Sequence, residues 1–178
     1  MEQEKIISTP LTDEIVRQLH AGDEVLISGT VLTARDQAHK RLCTLIDTGQ
    51  PLPIELKGSV VYFVGPTPAA AGKPIGAAGP TTSSRMDAFS PKLFAQGLKA
   101  TIGKGYRSQA VRDALVQSGA VHFAALGGAG ALLSRHITKS EIIAYEDLGT
   151  EAIRRLTFEK FPVVVAYDCY GKSVYDEI

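Results

Sequence analysis

KATIGKGYRSQAVRDALVQSGAVHFAA (Lys99–Ala125) decides the fold. Lys99–Ile102 reads as a short β-branched strand, and Ser108 is a good N-cap for the helix that follows. In that helix Val111, Ala114 and Leu115 recur on one face, and Gly119 closes it. Ala120–Ala125 is apolar again and reads as the next strand. Strand, helix and strand in short order point to an α/β domain with a parallel core.

The same alternation extends upstream. Lys5–Ser8 reads as a strand, and a helix opens at Pro10, capped by Thr12, with Ile15, Val16 and Leu19 as its stripe and Gly22 as its stop. Glu24–Leu32 is a strand running into TARDQAHKRLCTLID, an amphipathic helix that turns Ala38, Leu42, Leu45 and Ile46 inward. Asp47–Ser59 is turn-rich, and Ser59–Val64 suits a strand buried on both faces. From Gly65 to Pro80 the composition shifts to Gly, Pro and Ala, which predicts a long loop. Downstream, GGAGALLSR predicts a glycine-fronted helix and Glu141–Tyr145 a strand. Ile153–Phe158 and Val163–Tyr167 read as two further strands, and a last hairpin turns at Tyr170-Gly171. This hairpin-like end predicts an antiparallel layer beside the parallel core. Residues 1–178 carry no internal boundary and read as one domain.

Two short blocks hold the chemistry. GPTTSSRMD (Gly79–Asp87) sets hydroxyls and Arg85 at a predicted helix start, and GKGYRS (Gly103–Ser108) sets Lys104 between glycines before the next one. Helix N-termini and cations favour anions, so the pair suggests a ligand with two negative ends. Arg85 lies four residues after Thr81, one helical turn away, and both can address one ligand. A Gly-Pro-Thr-Thr before a helix is more commonly a simple cap. Asp87 reads as a local cap or ion-pair partner, Asp36 as an N-cap or an arginine's partner, and Arg107 as an anion binder or an exposed helix-start charge. Arg112, with Asp113 beside it, reads as a solvated surface charge. His39 lies on the Arg35 face of its helix, within reach of the site or structural. His20, His122 and His136 have no partners at metal-ligand spacing and read as structural.

Bulk properties exclude several classes. A formal net charge of zero and a pI near 6.9 give no electrostatic case for nucleic acid or an anionic membrane. No apolar run reaches the ~20 residues of a membrane span, and MEQEKIISTP is no secretory signal. Two distant cysteines, Cys43 and Cys169, argue against a disulfide scaffold and for a reducing cytoplasm.

GPTTSSRMD followed by GKGYRS resembles the β subunit, or C-terminal domain, of class I fumarate hydratases and the related L-tartrate dehydratases, which are iron–sulfur hydro-lyases. SGTVLTARDQAHKR (Ser28–Arg41), GPTPA (Gly65–Ala69) and LGGAGALL (Leu126–Leu133) extend the resemblance over nearly the whole chain. It implies a swivelling three-layer β/β/α domain. It also implies hydration of fumarate to malate, with Thr81 as the catalytic proton-transfer residue and Arg35, Arg85 and Lys104 binding the substrate carboxylates. A [4Fe–4S] cluster with an open iron needs three thiolates. This chain has two cysteines, so the cluster is expected on a partner α subunit. The chain starts at its own Met1 and is expected to be a separate β subunit in a hetero-oligomer such as two α and two β chains. The alternatives are an L-tartrate dehydratase β subunit and a non-catalytic anion-binding or regulatory module; GKGYRS leans towards fumarate.

Overall fold

The computed structural model describes residues 3–125 and 129–176. Strands β1 (Lys5–Ser8), β2 (Glu24–Thr33), β3 (Val60–Tyr62), β4 (Ala100–Gly103) and β5 (Val121–Ala124) pair in parallel in that order. Helices α1 (Asp13–Arg17), α2 (Asp36–Asp47), α3 (Ser90–Ala95) and α4 (Gln109–Ser118) fall between them, as parallel connections require. The expected caps form: Thr12 accepts from the Ile15 N–H at 3.2 Å and Ser108 from Val111 at 3.3 Å, while Gly119 ends α4 in the left-handed region.

The antiparallel part consists of β6 (Ile137–Ala144) and β7 (Ile153–Tyr167), which join the same seven-stranded sheet. β7 runs against β5 and also against β2, so the pairings β2–β3–β4–β5–β7–β2 close on themselves. Closure turns one sheet face inward. Ile27, Val31, Tyr62, Ile102, Phe123, Phe158, Phe161 and Val165 form a single buried cluster there. The Phe158 and Phe161 rings stack 4.0 Å apart, and each buried ring contributes about 2–3 kcal/mol. The other face is covered by helices: Leu32, Val61 and Phe63 of the sheet side pack with Leu42 of α2, Leu93 and Phe94 of α3, and Val111 and Leu115 of α4.

Several sequence expectations change. Residues 153–167 make one strand, not two. The apparent break at 159–162 is a bend within it, marked by Lys160 at φ 47° and a register shift opposite Ile27–Gly29. The segment bearing Arg85 is a 3-10 turn over Ser83–Met86, followed after a gap by α3, with Pro91 in its first turn. Of the predicted GGAGALLSR helix, Gly127 and Gly128 lie outside the described residues; α5 covers Gly130–Leu133 and a 3-10 turn continues over Ser134–His136. Arg112 is not a free surface charge. It forks onto Asp176 at 2.9 and 3.1 Å, donates to the Gly171 carbonyl at 2.7 Å and lies over the Tyr167 ring, pinning the C-terminal turn. Among the described residues no helix is long and apolar enough to cross a membrane.

Candidate functional site

Ligands of open α/β sheets bind beyond the carboxyl ends of the parallel strands. Here β2, β3 and β4 end side by side on Thr33-Ala34-Arg35, Phe63-Val64-Gly65 and Gly103-Lys104. The Ala34 N–H donates to the Tyr62 carbonyl at 3.1 Å and the Phe63 N–H to Ile102 at 2.8 Å, which keeps the three ends in step. The long loop over 65–80 leaves β3 and returns to the same place. Thr81 N–H donates to the Phe63 carbonyl at 2.7 Å, Thr82 forms a parallel bridge with Lys104, and Ser83 N–H donates to the Lys104 carbonyl at 2.8 Å. The Thr81–Ser83 backbone thus wedges between the ends of β3 and β4.

Arg35 precedes α2 without capping it. Its guanidinium lies against Gly65, where an added Cβ would sit 2.7 Å from Nη1 and 3.1 Å from Cδ. Only glycine leaves Arg35 that path. Arg35 Nε and Asp36 Oδ1 are buried without protein partners. Such groups carry a desolvation penalty until something binds them. Asp36 Oδ2 accepts from Arg85 Nε at 3.1 Å and Nη2 at 2.9 Å, and the Arg85 side chain keeps 48% of its surface exposed. An ion pair this open is worth at most about 1 kcal/mol, so it orients Arg85 without neutralising its use. Lys104 is exposed. The backbone therefore brings Arg35, Thr81, Arg85 and Lys104 to one rim, with Asp36 holding Arg85. Sequence reading treated Asp36 as a cap or an ion-pair partner; the second is what forms.

The expected helix-start anion site does not form at Gly79–Asp87. The 3-10 turn is too short to carry a helix dipole, and its Ser83 N–H is spent on Lys104. Positive side chains, not a helix terminus, make this rim attractive to anions.

Beneath the rim lies a polar cluster that sequence reading missed. Arg107 has no exposed side-chain surface, contrary to its reading as an anion binder or surface charge. Its Nε donates to Asp87 Oδ1 at 2.7 Å, Nη2 to Ser90 Oγ at 2.6 Å and Nη1 to Thr101 Oγ1 at 3.1 Å, and the guanidinium lies over the Phe63 ring. Asp87 Oδ2 accepts from the Ser108 N–H at 2.8 Å. Both Asp87 oxygens are thus occupied, and Asp87 is no free base for Thr81. His122 touches this cluster through Nδ1 and Ser83 through Nε2. One signal was present: Thr101 and His122 are polar residues at facing positions of adjacent core strands.

His39 is structural. It is fully buried, its Nδ1 lies 2.7 Å from the Arg35 carbonyl, and burial lowers its pKa to about 4. His20 stacks on Tyr170, and His136 bonds the Glu159 carbonyl. Cys43 and Cys169 are free and buried, and burial pushes both thiols up in pKa, against thiolate ligation. With two such thiols the described residues do not fit an iron–sulfur cluster, and they include no group of three or more potential metal ligands. A groove of about 720 Å³ between Thr9, Thr30, Pro53, Lys57 and Arg155 lies away from the rim. At the rim itself Arg85 and Lys104 are exposed.

The family model described as Fumarase C-terminus matches residues 2–178. The chain is 36% identical over 170 residues to the anaerobic class I fumarate hydratase of Escherichia coli, covering 93% of this chain and 31% of that protein. It is 34% identical to fumarate hydratase 2 of Leishmania major, covering 93% and 30%. A Methanocaldococcus jannaschii protein, provisionally named L(+)-tartrate dehydratase subunit beta, is 32% identical over 94% of this chain and 89% of its own length. The chain thus spans about a third of the fumarate hydratases it resembles. Matched from one end to the other, and carrying its hydroxyl- and cation-bearing loops at one sheet rim, the chain belongs to the Fumarase C-terminus family.

Proposed function

We propose that this chain is the β-type component of an iron–sulfur hydro-lyase that adds water reversibly across fumarate to give malate. The observation that carries the reading is the meeting of Arg35, Thr81, Arg85 and Lys104 on the ends of β2, β3 and β4. Three cations around one rim suit a diacid. Arg35 and Arg85 offer forked donors to carboxylates, and Lys104 offers a mobile point charge. Holding both ends of a four-carbon diacid fixes the carbon that gains or loses a proton beside Thr81, and orientation of this kind is worth several kcal/mol.

A threonine hydroxyl is too weak a base alone at neutral pH. Asp87 is committed through both oxygens to Arg107 and Ser108, and Asp36 is ion-paired with Arg85 through Oδ2. In this reading a carboxylate on a partner surface that closes over the rim activates Thr81. The same partner, an α-type chain, holds the [4Fe–4S] cluster that the two buried thiols here do not suit. In this reading residues 1–178 form one swivelling β/β/α domain of a cytoplasmic assembly such as two α and two β chains.

One observation favours a second substrate. The tartrate dehydratase subunit β relative matches this chain over 89% of its own length, whereas the fumarate hydratases extend far beyond the match. Anaerobic co-expression with an α-type partner, assayed on fumarate, malate and tartrate, tests both. Turnover of fumarate or malate supports the first reading, and turnover of tartrate alone replaces it with the second. A chain that turns over none with its partner, yet binds diacids, is a non-catalytic module.

A further inference from the structure

The buried charge pair beneath the rim ends on the loop that bears Thr81 and Arg85. Arginine has donors only, so the 3.2 Å contact from Arg107 Nη1 to His122 Nδ1 requires that nitrogen to be bare. Thr101 Oγ1, 2.7 Å from the same Nδ1, accepts from Arg107 and turns its own proton to the ring. The neutral imidazole then carries its proton on Nε2. That atom lies 3.2 Å from Ser83 Oγ, which accepts. Ser83 is fully buried and pressed against Gly103, where any Cβ would collide with its hydroxyl. Its backbone N–H is tied to Lys104 at 2.8 Å. Both ends of this contact are thus held, one by the Arg107–Asp87 pair and the other by β4.

We propose that His122 is a positioning residue for the site: held by Arg107 as the Nε2–H tautomer, it locks Ser83 and so fixes the segment that places Thr81 and Arg85. The role rests on the function proposed above and adds a group lying outside the substrate's reach. An imidazolium there would set an N–H against the Arg107 N–H. Burial, and after it the Arg107 charge, keep the ring well below its usual pKa, which leaves the tautomer fixed across the neutral range.

Three readouts test this. Ring ¹⁵N–¹H correlations on the full chain are expected to show His122 protonated at Nε2 and not titrating between pH 8 and 5. In Ser83→Ala, which removes one oxygen, amide exchange over residues 81–85 is expected to accelerate about ten-fold or more, while core amides of β4 and β7 stay near wild type. His122→Gln, whose side-chain nitrogen reaches the Nε2 position, is expected to keep the protection that His122→Asn loses. In the complex with its α-type partner, Ser83→Ala is expected to lower kcat/KM by about 10–100-fold, the scale of a small misplacement at a site, and His122→Gln to stay within about three-fold of wild type. An Nδ1–H tautomer, a ring titrating near its ordinary value, or unchanged exchange at 81–85 in Ser83→Ala overturns the proposal. A lower melting temperature with unchanged kcat/KM does the same, marking the contact as stability alone. A wild-type complex without hydro-lyase activity overturns only the functional reading, and the tautomer and exchange results then decide the positioning role by themselves.

Discussion

His39 lies between Phe63 and Phe89, ring centroids 5.4 and 5.9 Å away, with Nδ1 on the Arg35 carbonyl at 2.7 Å. The carbonyl only accepts, so Nδ1 carries the proton and Nε2 is bare and buried with no partner. Charging the ring would put a second N–H among aromatic edges. Burial is the main reason its pKa falls to about 4; the Arg107 charge lowers it too, while the Arg35 carbonyl and Asp36 oppose the fall. The sign follows from linkage. The unfolded chain takes up this proton as pH falls through about 6.5, and the folded chain waits until about 4. Stability is therefore lost on acidification across that window. Between pH 8 and pH 5 the loss from this one group is about 2 kcal/mol. Urea unfolding of wild type and His39→Phe at both pH values measures it. Phenylalanine suits the aromatic surroundings and forfeits one hydrogen bond, about 1 kcal/mol at pH 8. His122, shifted in the same direction, contributes equally to both proteins and cancels. The variant is expected to lose about 2 kcal/mol less than wild type on going to pH 5. Equal losses in the two proteins would refute the reasoning that His39 is held neutral.

The remaining expectations concern the rim. Thr81→Ala in the partnered enzyme is expected to lower kcat by about 10²–10⁴ with little change in diacid affinity; a drop in melting temperature at full specific activity would leave Thr81 a mere structural residue. Arg85→Lys loses the fork onto Asp36 and onto a carboxylate, so KM for the diacid should rise and kcat fall, together costing about 1.5–3 kcal/mol in kcat/KM. Its effect on stability should stay within about 1 kcal/mol because the ion pair is half open. Gly65→Ala adds a methyl 2.7 Å from Arg35 Nη1 and should displace that guanidinium, raising KM with the fold retained. Unchanged steady-state constants for Gly65→Ala would remove Arg35 from the site.

Local patterns specified much of this chain. The caps Thr12 and Ser108, the stop at Gly119 and the buried run before Gly65 all depend on neighbours within a few residues, and each stands where the local pattern placed it. In α2 Ala38 and Leu42 are buried as expected, while His39 and Cys43 take the core side and Leu45 and Ile46 are only half-buried. The hydroxyl- and cation-rich blocks were equally legible, because their chemistry is written in residue type. What the sequence hid depends on partners far along the chain. β7 reads as two strands because Lys160 bends it, and only pairing with β2 on one side and with β6 and β5 on the other holds it as one. Arg107 reads as an anion binder or an exposed helix-start charge, and Arg112 as a solvated surface charge. Asp87, 20 residues before Arg107, and Asp176, 64 residues after Arg112, make the first an internal strut and the second a clamp on the C-terminal turn. Asp36 joins Arg85 across 49 residues, and Thr101, His122 and Ser83 meet only because β4 and β5 lie side by side beneath the returning loop. Periodicity and capping are short-range and survive in a linear text. Charge compensation in a low-dielectric interior is a property of the closed sheet, and it was decided when that sheet closed.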